Sequence, residues 1–335
     1  MISHTHIKTM STNETTCIKL SIDDSNDDKK GDHIKTKDDA SASETKCIKL
    51  SIEDYFNSND EENEGDYNIL EVTTSQTAAF KQLFKRLKNL TTNLNMSFVA
   101  PNPKGGLMIS NITDDRSAYV KVKLDACQFE YFDCEESVIN VGVDMAKFYS
   151  ILVELDDSEQ ITFYINNKSK YIMHIKGTGY HMGYGKHTLV KEIRLLDLSR
   201  KIINLNSIEF QNMITIESEK LHNICQLYTS CDFIKIITHG KEIIFNGNSN
   251  TEKINLSYTD TRDNSNKKET IHVEGTYDIG LLRNFSKCYY LCNEIDIYHK
   301  NDFPIVLRIR VTTLGNMYIF ISPIIHADNE YANNK

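Results

Sequence analysis

One short pattern recurs four times along this chain and limits the available folds more than any other feature. An amphipathic helix is followed, after a polar turn, by a strand with alternating apolar and polar residues. The copies are AAFKQLFKRLKNLTTN (78–93) before LNMSFVA, MAKFYSILVEL (145–155) before QITFYI, EKLHNICQLYTS (219–230) before DFIKIIT, and DIGLLRNFSKCYY (278–290) before NEIDIYH. Period-two runs fill the intervals: AYVKVKL, YIMHIKG, EIIFNG, KINLSYT, VLRIRV and MYIFIS. Four helices against many antiparallel strands predict an α+β fold of two similar halves, each with two helices packed on antiparallel sheets.

Upstream of this pattern the composition changes. Residues 1–66 hold 8 lysines against 16 acids, a net −8, while residues 67–335 hold 30 basic and 31 acidic residues, a net −1. The acidity therefore belongs to a tail rich in Asp, Asn, Ser, Thr and Lys, a composition that predicts disorder. Within it ETTCIKLSIDD (14–24) returns as ETKCIKLSIED (44–54), an apolar island of the kind that docks on a partner, or a neutral duplication. The near-neutral body does not exclude nucleic acid, because binding depends on where cations cluster.

Other classes are disfavoured. No apolar run approaches the roughly 18 residues of a membrane helix, and the first residues lack a signal-peptide core, so a soluble intracellular protein is expected. The eight cysteines include no C-x-x-C pair and read as free core thiols. There is no Walker-type glycine loop, HExxH or G-x-S-x-G. The cluster GTGYHMGYG (177–185) reads as a hairpin rather than a phosphate cradle. No enzyme, metal or cofactor is expected.

The first helix shows how a binding face arises. Phe80, Leu83, Phe84, Leu87 and Leu90 fall on one side at helical spacing. Lys81, Lys85 and Lys88 fall on the other, with Arg86 nearby. Such a stripe is either a solvated face or a set of cations presented to successive phosphates.

The ordered set of segments resembles the proliferating cell nuclear antigen (PCNA) family of DNA sliding clamps from about Tyr67 to Ala327. FKQLFKRLKNLTTNLNMSF resembles the family's first helix and strand. LMISNITDDRSAYVKVKLDACQFEYFDC leads into an aromatic–cysteine element at Phe129, Phe132 and Cys134, and NVGVDMAKFYSIL resembles the second helix. EIRLLDLS resembles the start of the interdomain connector, and NDFPIVLRIRV and LGNMYIFISPI the closing strands. The Asn/Ile/Lys/Tyr-rich composition suggests a large DNA virus. The resemblance divides the chain into a tail (1–66), a first clamp domain (67–194), a connector (195–209), a second clamp domain (210–327) and a C-terminal tail (328–335).

It further implies a homotrimeric ring around duplex DNA, helices inward, serving replication and repair in a nucleus or a cytoplasmic viral factory. The implied DNA contacts are Lys81, Lys85, Arg86, Lys88, Lys147, Arg283 and Lys287. Ser150, Val153, Asn223, Gln226 and Gly280 stand where relatives carry basic residues, which makes the lining lopsided. The edges expected to join subunits are near Leu189–Leu195 and Lys253–Thr259. The implied pocket for peptides of DNA polymerase and other partners comprises Ile112, Arg116 and Tyr119; Leu198, Ile202 and Ile203; and Pro304, Phe320, Ser322 and Pro323. A clamp loader is implied as well. The alternatives are a monomeric or dimeric processivity factor that holds DNA by charge, and a recruitment scaffold not loaded on DNA. The tail segment Lys49–Phe56 has the spacing of a clamp-binding peptide, with Lys49 in place of the usual Gln. It is either a segment that occupies the pocket of its own or a neighbouring chain, in competition with polymerase, or part of a neutral duplication.

Overall fold

The computed structural model describes residues 5–12, 15–22, 65–102, 104–155, 158–181, 185–198, 210, 212–261 and 272–324. In the tail, β1 (Thr5–Thr12) and β2 (Thr15–Ile22) pair antiparallel as a separate hairpin. Residues 15–22 of the first repeat copy form the second of these strands. The second copy, with Lys49–Phe56, lies outside the described residues.

The two halves repeat one topology, apart from one short extra strand in the first. The first runs β3 (Asn68–Thr74), α1 (Thr77–Lys88), β4 (Asn93–Val99), β5 (Gly106–Ile112), β6 (Ala118–Asp125), β7 (Tyr131–Cys134), β8 (Val138–Asp144), α2 (Met145–Glu154), β9 (Gln160–Asn166), β10 (Ile172–His181) and β11 (Gly185–Arg194). The second runs β12 (Asn212–Glu217), α3 (Ser218–Leu227), β13 (Phe233–His239), β14 (Glu242–Asn248), β15 (Lys253–Thr259), β16 (His272–Asp278), α4 (Ile279–Ser286), β17 (Glu294–His299), β18 (Ile305–Val311) and β19 (Gly315–Ile321). Matching aspartates start the second helix of each half: Asp144 accepts from the Lys147 amide at 2.9 Å and Asp278 from the Leu281 amide at 3.0 Å. The stretch read as a fourth helix through Tyr290 is divided, because the chain tightens after Ser286 into a 3-10 turn over Lys287–Tyr290.

An eight-stranded sheet unites the halves in the order β12-β17-β18-β19-β6-β5-β4-β8, with β19 and β6 antiparallel at the joint. Gly315 opens β19 at φ +159°, where an added Cβ would stand 2.0 Å from the Lys123 carbonyl oxygen. Only glycine allows the two backbones to meet there. A five-stranded sheet (β11-β10-β9-β3-β7) and a four-stranded one (β15-β14-β13-β16) complete the layers. Residues 177–181 of β10 pair antiparallel with 185–189 of β11.

Alternation along β19 divides the sheet's two sides. Met317, Ile319 and Ile321 enter the main core together with Phe80, Leu83, Phe84 and Phe148 from the helices and Ile224 and Phe285 from their counterparts. Tyr318 and Phe320 point the other way, into a second cluster with Phe210, Tyr298 and Val306. The helices therefore lie on one side of the central sheet and the second cluster on the other. The core is aromatic under α1 and α2, with ring centroids 4.7 Å apart for Phe80–Phe84 and 4.9 Å for Phe84–Phe148. Where the halves meet, Asn89 donates to Asn284 at 3.1 Å. Cys134, Cys225, Cys231 and Cys288 are free, buried thiols.

Candidate nucleic-acid and partner-binding surfaces

The helix layer does not present every cation of the sequence stripe. Lys85 and Lys88 are exposed on α1, Lys147 on α2 and Lys287 on the 3-10 turn, and Arg283 of α4 is half-buried. Lys88 extends over the Tyr149 ring, with Nζ 5.0 Å from its centroid. Lys81 departs from the expectation: it is 8% exposed, and its Nζ donates to the Leu155 carbonyl at 2.8 Å. Leu155 caps α2, whose last carbonyls lack helical partners and carry the negative end of the helix dipole. The ammonium serves that helix end rather than the surface. Arg86 is likewise 6% exposed, and its Nε is buried without a hydrogen-bond partner among the described residues. It lies where α1 meets the turn after α4, close enough for its charge to bear on Cys288, Tyr289 and His222. His222 bonds Ser286 Oγ at 3.2 Å, and burial followed by the Lys287 and Arg86 charges holds its pKa below the usual imidazole value.

Sequence reading passed over one exposed cation of α3, Lys220. Its Nζ lies 4.5 Å from the Tyr258 ring centroid on β15. The internal repeat carries the signal for it: Lys147 and Lys220 are each the third residue of their helix, directly before the buried Phe148 and Leu221. The remaining exposed positions of α2 and α3 include Ser150, Val153, Asn223 and Gln226, so the uneven cation distribution persists.

Both expected edges are outermost strands. β11 ends the five-stranded sheet and β15 the four-stranded one, and Leu189 and Val190 on β11 are 36% and 44% exposed. Apolar side chains beside unpaired backbone groups mark a strand that can accept another.

On the far side of the central sheet, cross-strand register assembles part of the expected peptide pocket. Ile112, Tyr119, Phe320, Val306 and Tyr298 are successive partners across β5, β6, β19, β18 and β17. Tyr119 and Phe320 have centroids 5.5 Å apart, and Tyr119 donates to Ser110 Oγ at 3.2 Å. Phe320 is only 4% exposed, so it forms the floor, while Ile112 and Tyr119 stay half-buried. Pro304 and Pro323 are half-buried and Ser322 is exposed at the end of β19. Arg116 is exposed at φ +60°, on the turn whose Asp115 carboxylate accepts from Ser117 and Thr113; those bonds lower its pKa. Leu198 packs against Gly142 of β8, beside a backbone bridge from Gly142 to Leu196. Ile202 and Ile203 lie outside the described residues.

Among the described residues no group of three or more His, Cys, Asp or Glu is placed to hold a metal ion. The surfaces offer cations on helices and an apolar row on a sheet, which suits binding.

Residues 69–181 match the family model described as proliferating cell nuclear antigen, N-terminal domain. The chain is 34% identical over 298 residues to a protein of Acanthamoeba polyphaga mimivirus named probable DNA polymerase sliding clamp. That match covers 79% of this chain and 64% of the relative, so the chain spans under two thirds of that relative's length. A second relative, probable DNA polymerase sliding clamp 1 of Paramecium bursaria Chlorella virus 1, is 23% identical over 269 residues, covering 78% of this chain and 99% of its own. Among solved structures, proliferating cellular nuclear antigen from Entamoeba histolytica aligns with a TM-score of 0.67 over 77% of this chain and 100% of that chain. At 14% identity that likeness is one of fold.

Proposed function

From a chain that is PCNA-like in sequence over residues 69–181 and PCNA-like in fold, we propose a non-enzymatic DNA polymerase sliding clamp that encircles duplex DNA. The observation that carries this reading is the division of the central sheet: cation-bearing helices on one side, an apolar cross-strand row on the other. A clamp needs both, one surface for DNA and another for the proteins it tethers. The mimivirus and Chlorella virus relatives, both named as probable sliding clamps, support it.

The DNA surface comprises Lys85, Lys88, Lys147, Lys220 and Lys287, with Arg283 at its border. Exposed ammonium groups on helices contact phosphates without reading bases, so they centre a duplex and leave it free to slide. Three identical chains close the ring as β11 of one pairs with β15 of the next, a head-to-tail contact that closes by rotation. A clamp loader opens it. The row from Ile112 to Phe320 receives peptides of DNA polymerase and of repair proteins, with aromatic and aliphatic anchors lying on Tyr119.

Salt separates encirclement from the alternative of a monomer or dimer held by charge. After incubation with nicked circular DNA, a clamp loader and ATP, the protein should remain with DNA through gel filtration in high salt. A charge-held factor elutes separately, since its affinity falls by orders of magnitude over the same range.

A further inference from the structure

A second cross-strand row runs beside the apolar one. Asp296, Arg308, Tyr318, Lys121 and Ser110 are successive partners across β17, β18, β19, β6 and β5. Neighbouring rows on one face are two residues apart along each strand, about 7 Å. Lys121 therefore stands one row from Tyr119, at the joint between the halves.

The cations on either side already have partners. Arg308 Nη1 lies 3.5 Å from Asp296 Oδ2, and its Nε lies 3.4 Å from Asn316 Oδ1. Lys123 Nζ lies 3.2 Å from Asp125 Oδ1. Lys121, between them, has neither a hydrogen bond nor an ion pair among the described residues. It is half-buried, and burial followed by the charge of Lys123 lowers its pKa. A partly desolvated ammonium without a counter-ion is half of an ion pair. It borders the row on which the proposed partner peptide lies.

We propose that Lys121 reads a carboxylate on the docked peptide. The partner segment places its apolar anchors on the Ile112–Tyr119–Phe320 row and carries an aspartate or glutamate about 7 Å away, over the β6–β19 joint. This inference rests on the peptide-docking reading above and adds a charge requirement to it. A nucleic-acid strand is the alternative that the test distinguishes; Asp125 and Asp296, paired with Lys123 and Arg308, reduce the positive charge of this face.

Fluorescence anisotropy with the full chain tests it. Three short labelled peptides share one isoleucine and two aromatic residues; the flanking positions carry Asp in the first, Asn in the second and Lys in the third. The Asp peptide should bind about tenfold more tightly than the Asn peptide, the scale of one charge-assisted hydrogen bond. In Lys121→Gln that ratio should fall below about twofold with an unchanged melting temperature, since no partner is removed. In Lys121→Glu the Lys peptide should bind best. Equal binding of Asp and Asn peptides to the unmodified chain overturns the inference and leaves peptide docking intact. Binding of none of the three overturns the docking reading and the inference with it. An oligonucleotide whose binding is lost in Lys121→Gln assigns this ammonium to nucleic acid and also overturns it.

Discussion

Lys81 Nζ and the Leu155 carbonyl oxygen, 2.8 Å apart, tie the first helix of the chain to the C-terminal end of the second. One of the residues read as DNA contacts is thereby a helix cap in the protein's interior. Lys81→Met keeps the aliphatic stem and removes the donor, so it should cost about 1–3 kcal/mol of stability, the range for a buried acceptor left unsatisfied. DNA affinity should stay within about twofold of the original after correction for unfolded protein. Urea denaturation and a DNA-binding titration read the two effects separately.

The exposed lysines behave in the opposite sense. Lys85→Gln, Lys88→Gln and Lys147→Gln remove surface charges, so stability should change by no more than about 0.5 kcal/mol. Each substitution that takes a cation away from a phosphate should reduce the slope of log affinity against log salt by about 0.9, equally for all duplex sequences. Anisotropy titrations at several salt concentrations give that slope.

His299 gives the second half a pH dependence. It is 2% exposed, bonded through Nδ1 to Thr238 Oγ1 at 3.1 Å and through Nε2 to Tyr277 OH at 2.9 Å. Burial lowers its pKa from 6.5 to about 4. The unfolded chain takes up this proton near pH 6.5 and the folded chain resists it until about pH 4, so acid favours unfolding. The contribution is complete above pH 6.5, declines as pH falls toward 4, and amounts to about 3 kcal/mol over that interval. His299→Gln should be less stable than the original at pH 7.5 and lose less stability between pH 7 and pH 4.5. Urea unfolding at both pH values checks the difference.

The fold was legible because the helix–strand unit repeats, and the repeat constrains topology more strongly than any one segment's propensity. Ile112, Tyr119 and Phe320 lie far apart in sequence and meet only through the registers of β5, β6 and β19. Resemblance brought them together, since periodicity alone gives no register between distant strands. Lys81 was misread for a related reason. Helical spacing assigns a residue to a face of its own helix, but whether a second helix ends there is a tertiary fact, and α2 ends there. Arg86 is covered in the same way, by the turn after α4. Lys220 was missed because it stands alone, without the stripe that made α1 conspicuous.

In the proposed ring, Leu189 and Val190 lie at a joint between chains. Leu189→Glu with Val190→Glu adds two charges to a strand edge whose side chains are already partly exposed. The folded subunit should keep its melting profile at concentrations where it is monomeric. Light scattering behind gel filtration should show a shift from three chains to one. Persistence of the trimer would move the joint elsewhere.

In the proposed clamp, the Ile112–Tyr119–Phe320 row separates partner binding from DNA binding. Tyr119→Ala removes a half-buried ring over Phe320 and should weaken peptide binding by about tenfold or more, the scale of an interface anchor, with retention on circular DNA unchanged. Phe320→Ala is a poor substitute, since emptying so buried a site costs about 3–5 kcal/mol of stability.

Topological capture is most directly tested by cutting the circle. Protein loaded on a nicked plasmid is passed through a high-salt column, and half the sample is first linearised at one site. An encircling ring should stay on the intact circle and leave the linear molecule by its ends. Equal retention on both forms, or loss from both, would contradict encirclement.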